Sequence, residues 1–352
     1  MAIQLKTDLP SFFEIGEYNT VHLLKLLHMH HLEFKQVLLL GDHKTFLIGG
    51  GPISKNLEDG HIKVSRHVVT NSDEPNVRHV EDIIEQEKPD LVLGFGGGKV
   101  LDVAKLAAGK KNTTFISIPT TLSNDGISSP VAVIKDKKNI PVSHITKAPY
   151  GIIVDISIVK KAPEKHIKAG IGDMISNLSA VFDARLAHKE GRETITSMAL
   201  SVSEAGPLSL LDFKKPSIHN NDFLLCLAQG LTKSGIAMCI TGSSRPASGS
   251  EHKISHAIDH LHSPRDTLHG EQTGIAAIFT MALQENSYLD KVIEFYKEIT
   301  FPHTLEHLSL TIEQFIQVVH AAGNIRPERY TILEHMEITD KEIREIIKKT
   351  GL

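Results

Sequence analysis

The sequence predicts an α/β N-terminal domain built on a mostly parallel sheet, followed by an all-α C-terminal domain. Three observations carry this. The chain has 352 residues, more than one hydrophobic core usually serves, so two domains are expected. Up to about residue 160, short apolar runs of strand length alternate with stretches of helical spacing, the pattern of an open, Rossmann-like sheet. Beyond that point strand-like runs become scarce and apolar residues recur at helical spacing. The expected domains are therefore 1–160 and 161–352.

Composition narrows the function classes. Hydrophobic residues are 41% and charged residues 23%, as in an ordinary globular protein. A net charge of −4 argues against a nucleic-acid binder, which would carry a basic excess, and leaves a small anionic substrate open. Cys226 and Cys239 make no disulfide framework and fit a reducing, cytoplasmic compartment. The stretch Met1 to Asp8 shows no secretory pattern, and no uninterrupted apolar run reaches the roughly 18 residues of a membrane span.

In chain order, Val21 to His28 has helical spacing after an extended start. Gln36-Val-Leu-Leu-Leu-Gly41 reads as a buried parallel strand ending at Asp42. A carboxylate there either accepts from the hydroxyls of an adenosine ribose or serves a turn. Gly49-Gly-Gly51 reads as a turn. His61 to Ser65 and Val68 to Thr70 are strand material, and Val80 to Glu87 is helical. Asp90-Leu-Val-Leu-Gly94 is a buried strand running straight into Phe95-Gly-Gly-Gly-Lys-Val-Leu-Asp102.

A strand, three glycines and a helix starting near Lys99 suit a pyrophosphate. The glycines allow close backbone approach, and the helix start offers N–H groups and a positive dipole end. Asp102, in the first turn, suits that dipole too. The stretch is not GxGxxG and does not follow the first strand, so a plain structural turn stays open beside phosphate binding. Thr113 to Pro119 is the next strand, followed by the hydroxyl-rich loop Thr120 to Pro130. Loops at that edge of a sheet form ligand crevices. Thr120, Thr121 and Ser123 can donate to a phosphate or carboxamide, and Asp125 can orient a substrate hydroxyl; a solvated turn is the alternative. Val131 to Ile134 and Ile152 to Val154 are further strands.

Ala169 to Asn177 opens the helical part, with Asp173 placed after Gly172 as an N-cap. Asp183 to Gly191 continues a helix to a glycine stop, and Phe223 to Cys239 is a core helix. Then comes Ser248-Gly-Ser-Glu-His-Lys-Ile-Ser-His-Ala-Ile-Asp259, followed by Leu268-His-Gly-Glu-Gln272. His252 and His256 fall on one helix face, one turn apart. With His269 they can converge on a divalent metal, because neutral imidazole is the commonest side-chain ligand. The competing reading is that a chain with 21 histidines has some close together. The tail from Thr311 to Leu352 reads as helices around Asn324 to Leu333.

Taken together, Gly94-Phe-Gly-Gly-Gly-Lys-Val-Leu-Asp102, Ile118 to Pro130, Gly172-Asp-Met-Ile-Ser-Asn177, Arg245 to His256, Leu268-His-Gly-Glu-Gln272 and Arg329 to Leu333 resemble a known family. It is the sn-glycerol-1-phosphate dehydrogenase family, within the superfamily of glycerol dehydrogenase, the iron-containing alcohol dehydrogenases and 3-dehydroquinate synthase. The resemblance runs from about Gln36 to about Leu333. It implies a dehydroquinate synthase-like fold with a cleft between its two domains. It implies reduction of dihydroxyacetone phosphate to sn-glycerol 1-phosphate by NADH or NADPH, with one divalent metal as Lewis acid.

At matching positions the resemblance implies Asp173, His252 and His269 as metal ligands and His256 beside the substrate, with Asp125 also contacting it. It implies Gly97, Gly98, Lys99 and Asp102 at the cofactor diphosphate, Thr120, Ser123 and Ser129 as further cofactor contacts, and Asp42 near the ribose. Zinc is the first choice of metal, with nickel and iron also able to take two imidazoles and a carboxylate. Lys253 and Arg245 are near the site in sequence and are candidates for the substrate phosphate. A homo-oligomer is expected. The alternatives are another polyol or sugar-phosphate dehydrogenase on this scaffold, a dehydroquinate synthase-like cyclase, or a catalytically silent nucleotide binder.

Overall fold

The computed structural model describes residues 8–137, 140–262 and 266–352, so the stretch 1–7 read above for a leader lies outside the described residues. The chain divides between Pro163 and Glu164 into two compact units.

The first unit runs β1 (Phe12–Gly16), α1 (Leu23–Met29), β2 (Gln36–Gly41), α2 (His43–Thr45), α3 (Gly51–Asp59), β3 (Lys63–Val68), α4 (Glu74–Glu87) and β4 (Leu91–Gly96). It continues with α5 (Gly98–Lys111), β5 (Thr114–Pro119), β6 (Val131–Lys135), β7 (Pro141–Ile145), β8 (Gly151–Asp155) and α6 (Ile156–Val159). Six strands form one sheet in the order β1-β8-β5-β4-β2-β3, and every pairing is parallel. Parallel strands covered on both faces read as continuous apolar runs, which is why β2 and β4 are legible without alternation. Val37, Leu38, Leu39 and Leu40 are all buried, as are Leu91, Val92, Leu93 and Phe95.

Strand order also locates a crevice. From β2 the chain moves outward to β3; from β4 it moves the opposite way to β5. The connections therefore part at the neighbouring C-terminal ends of β2 and β4, where open α/β sheets bind ligands.

One expectation is corrected here and one is refined. Gly49-Gly-Gly51 is not a turn: Phe46–Gly50 is a π-helical stretch that leads directly into α3. A side chain on Gly49 would strike Phe95, and one on Gly50 would strike Phe46, so these glycines serve packing within a helix. Val131 to Ile134 is a strand, but it pairs antiparallel with β7 in a separate two-stranded ribbon. Every residue of β7 is exposed, so it carries no apolar pattern for a reader to find.

The second unit is helical among its described residues. It contains α7 (Glu164–Lys189), α8 (Ser197–Leu211), α9 (Asn221–Thr241), α10 (Ser250–His262), α11 (His269–Leu283), α12 (Leu289–Glu298), α13 (Ile312–Ala322), α14 (Ile332–His335) and α15 (Asp340–Thr350). Helix α9 has the length and composition of a membrane span, yet most of it is buried and it packs against α8 and α7. It is a core helix. Asn220 caps its start, and Gly242, in the left-handed conformation at φ 64°, ends it.

Helices α7 and α11 touch backbone to backbone. A Cβ on Gly172 would land on the carbonyl oxygen of Gly270, and one on Gly270 would land on that of Ala169. Only glycine permits that approach. Because α7 already starts at Glu164, Asp173 lies deep inside a helix and is not an N-cap, which removes the structural role expected for it. In the tail, α13 ends at Ala322, turns occupy the chain up to α14, and α15 follows, so helices lie around the stretch Asn324 to Leu333 as expected.

Candidate metal centre and glycine loop

Helix α7 supplies Asp173, α10 supplies His252 and His256, and the first residue of α11 is His269. One ligand atom from each of Asp173, His252 and His269 lies within 4.8 Å of the others. Oδ1 of Asp173 is 3.9 Å from Nε2 of His252 and 3.8 Å from Nε2 of His269. These separations are too long for hydrogen bonds, and both imidazoles point the same nitrogen at one carboxylate oxygen. Two ligands each about 2.0–2.1 Å from a zinc-like ion stand at most roughly 4.2 Å apart, so both separations fit around one ion. His256 stands outside the trio, its ring 6.1 Å from that of His269. Nδ1 of His252 is 2.8 Å from Oε1 of Glu251, which also accepts from the Gly249 N–H at 2.6 Å.

In the first unit, Gly97 is the N-cap of α5, and no side chain caps that helix. Its backbone, at φ −80° and ψ −177°, is open to any residue. A Cβ on Gly97 would meet only Thr121 Oγ1, at 3.4 Å, and one on Gly98 only Asn124 Nδ2, at 3.9 Å. Packing within the described residues thus does not demand these two glycines, in contrast to Gly96, where a Cβ would strike Val100. The bare backbone and the dipole of α5 leave a cradle for an anion. Lys99 Nζ is 3.5 Å from Oδ2 of Asp42, so the ends of β2 and β4 meet through an ion pair at the crevice. Asp42 also caps α2, accepting from the Thr45 N–H at 2.8 Å.

The loop after β5 is fixed from within. Thr120 is buried and its N–H donates to Gly96 O, while Ser123 and Asp125 are partly exposed. The Asp125 carbonyl accepts from the N–H groups of Ser128 and Ser129. Ser129 is buried and its hydroxyl donates to Val131 O at 3.4 Å. Asp102 faces Lys105 at 3.7 Å and accepts from the Val133 N–H. Both Ser129 and Asp102 therefore turn toward protein partners.

Over 343 residues the chain is 34% identical to glycerol-1-phosphate dehydrogenase [NAD(P)+] of Nitrosopumilus maritimus, covering 97% of this chain and 96% of that relative. It is 38% identical over 319 residues to the protein of the same name from Thermococcus sibiricus, covering 90% of each. The chain belongs to the glycerol-1-phosphate dehydrogenase family. Residues 14–163 also match the family model of iron-containing alcohol dehydrogenases. The fold is that of glycerol dehydrogenase from Schizosaccharomyces pombe, at a TM-score of 0.79 and 20% identity, covering 99% of this chain and 92% of that one.

In this member of the glycerol-1-phosphate dehydrogenase family, burial sets the charge state of the histidines. Burial, reinforced by Arg326 and Arg329, lowers His252 to about 3. Burial and the neighbouring His252 lower His269 to about 3, against the opposing pull of Asp259. Burial, then Arg326 and the other two imidazoles, hold His256 well below its ordinary value. All three are neutral at pH 7, the form that donates a lone pair to a metal. At Asp42 burial alone would raise the carboxyl, but the Thr45 N–H and Lys99 outweigh it and hold it below the usual range.

Several residues were passed over in the sequence. Lys105 is 1% exposed and its ammonium donates to Gly126 O and Val131 O, both at 2.7 Å, pinning the loop that carries Asp125. A lysine flanked by Val103, Ala104, Leu106 and Ala107 on a core helix was the available signal. Arg326 and Arg329 sit in the turn between α13 and α14, and no role was read for Arg326. The two cations named for a substrate phosphate are engaged elsewhere. Arg245 pairs with Glu193 at 2.6 Å and donates to Asp183 O and Tyr330 O. Lys253 pairs with Glu334 at 2.6 Å and donates to Gly323 O and Arg329 O, which anchors the turn bearing Arg326.

Proposed function

We propose that this chain reduces dihydroxyacetone phosphate at C2 to sn-glycerol 1-phosphate, oxidising NADH or NADPH with the aid of one divalent metal ion. The observation that carries the reading is the trio of Asp173, His252 and His269: a buried mid-helix carboxylate with no capping role, faced by two neutral imidazoles. The donor set fits zinc first, and nickel or iron as well. When bound, the cation supplies a Lewis acid to the substrate carbonyl and the nicotinamide supplies the hydride.

The chain's own residues do the rest. Asp173, His252 and His269 hold the ion, each from a different helix. The ketone gains a hydride at C2 and a proton at its oxygen, giving a secondary alcohol and NAD(P)+. His256, neutral and adjacent, would hydrogen-bond a substrate oxygen and relay that proton rather than store it. Asp125 would orient a substrate hydroxyl. Arg326, whose charge is felt by all three imidazoles, replaces Lys253 and Arg245 as the residue drawing the substrate phosphate.

Residues 1–160 would carry the cofactor and 161–352 the metal and substrate. Gly97, Gly98 and Lys99 would take the diphosphate, Thr120 and Ser123 would add donors, and Asp42 would accept from the ribose. Asp102 and Ser129 would act by holding the loop in place. A cytoplasmic setting accords with the free cysteines Cys226 and Cys239. Self-association accords with the exposed apolar side chains Leu47 and Met198.

The test is NADH and NADPH oxidation by metal-reconstituted protein, with dihydroxyacetone phosphate and dihydroxyacetone in parallel and chiral assignment of the product. Turnover selective for the phosphate with the sn-1 product is expected. Metal and cofactor binding without that turnover would overturn the substrate.

A further inference from the structure

His269 is joined to a chain of side chains that ends in a carboxylate, and the direction of every proton along it can be worked out. Gln272 is 2% exposed, and one end of its amide lies 3.0 Å from Oδ1 of Asp259 and 3.1 Å from Oγ1 of Thr267. A carboxylate accepts and has no proton to give, so that end is the NH2. The amide oxygen therefore faces Ser255, 2.7 Å from its Oγ, and it can only accept. The single hydroxyl proton of Ser255 is committed to Gln272. Ser255 Oγ is also 3.2 Å from Nδ1 of His269, and with its proton committed it must accept there. Nδ1 of His269 carries the hydrogen, and Nε2 presents its lone pair to the position faced by Asp173.

We propose that Ser255, Gln272 and Asp259 form a positioning relay that fixes the tautomer and ring orientation of His269 for metal binding. The inference rests on the metal reading above. The relay is built from two elements: Ser255 and Asp259 lie one turn apart on α10, and Gln272 lies on α11, three residues beyond His269. Ser255 is fully buried, so water does not replace its oxygen once that oxygen is lost. The ring of His269 would then be free to turn or to move its proton to Nε2, where it blocks coordination.

The experiment measures the dissociation constant of Co2+ from the full chain by chelator competition, read from the visible absorption of the bound ion. The melting temperature of each metal-free variant serves as the control for folding. Ser255→Ala is expected to bind Co2+ roughly 10–100-fold more weakly, the usual cost of an outer-shell partner. Its metal-free melting temperature should match the parent. Asp259→Ala should weaken binding in the same direction but by less, and Asp259→Asn, which keeps an oxygen for the Gln272 amide, should restore it. If Ser255→Ala melts early, the Asp259→Ala and Asp259→Asn pair decides. Parental affinity in Ser255→Ala and Asp259→Ala would overturn the relay alone. A parent chain that takes up no Co2+ would overturn the metal reading beneath it.

Discussion

The two candidate sites are built in opposite ways. In the helical unit the chemistry sits on side chains, and helix packing sets their separation. Asp173 and His269 each adjoin a glycine, Gly172 and Gly270, at which α7 and α11 touch. In the α/β unit the chemistry sits largely on backbone, and the glycines do the reverse. At Gly97 and Gly98 a Cβ would make only ordinary contacts, with Thr121 and Asn124, so packing does not require glycine there, as the proposed diphosphate cradle would. The same residue type thus serves contact in one unit and access in the other. The Cβ each would carry tells the two apart.

That contrast can be broken from either side. The largest effect is expected from Asp173→Asn, which removes the charge of a proposed ligand without changing size. Activity should fall by more than the roughly 10–100-fold typical of outer-shell partners, together with metal content measured by elemental analysis. Full activity and full metal content would remove Asp173 from the site. Gly270→Ala comes next, because its Cβ meets backbone that cannot yield cheaply. It should cost about 3 kcal/mol, the upper range for overpacking. In a thermal melt that corresponds to a shift of roughly 6–12 °C for a unit of this size.

Gly97→Ala is the matching change in the other unit and should leave the melt untouched, since its backbone suits alanine and its Cβ has room. Its effect should appear in the KM for NADH, raised roughly tenfold, equivalent to about 1.4 kcal/mol or one lost hydrogen bond. A stable Gly270→Ala or an unstable Gly97→Ala would dissolve the distinction.

The smallest effect is electrostatic. Asp155 closes β8 and accepts from Tyr18 N, Thr20 N, Thr20 Oγ and the Ser157 hydroxyl. Burial would raise its carboxyl, but these hydrogen bonds outweigh burial and hold it below its ordinary value. A depressed carboxylate contributes stability that is present above its unfolded value and lost as the pH falls through its folded value. Melting temperature against pH should therefore drop less steeply below about pH 4 in Asp155→Asn than in the parent.

Legibility in the sequence followed the same division. The strands β2, β4 and β5 were readable because both faces are buried and the apolar run is unbroken. Spacing suggested that His252, His256 and His269 converge, and the family resemblance named Asp173, His252 and His269, the three that lie together here. What failed was the interpretation of glycine. Gly172 and Gly49-Gly-Gly51 read as punctuation, because glycine usually marks a turn, whereas here tertiary contact keeps it inside helices. Reading Gly172 as a break made Asp173 an N-cap and hid its place in the middle of α7. Strand β7 has no buried side, and Arg326 acts through a turn that lies far from the histidines in sequence, so neither leaves a local pattern.

The glycine seam between α7 and α11 has one further consequence, for adaptation to a different ion. With two backbones in contact, neither helix can approach the other, and sliding them would break the match at Gly172, Gly270 and Gly274 together. The span from Asp173 to His269 is in effect a fixed gauge. At the proposed site an ion of another radius would have to be met by His252, through a shift of α10 or a change of rotamer. Variants selected for a new metal should therefore accumulate their substitutions around α10 and leave the seam as it is.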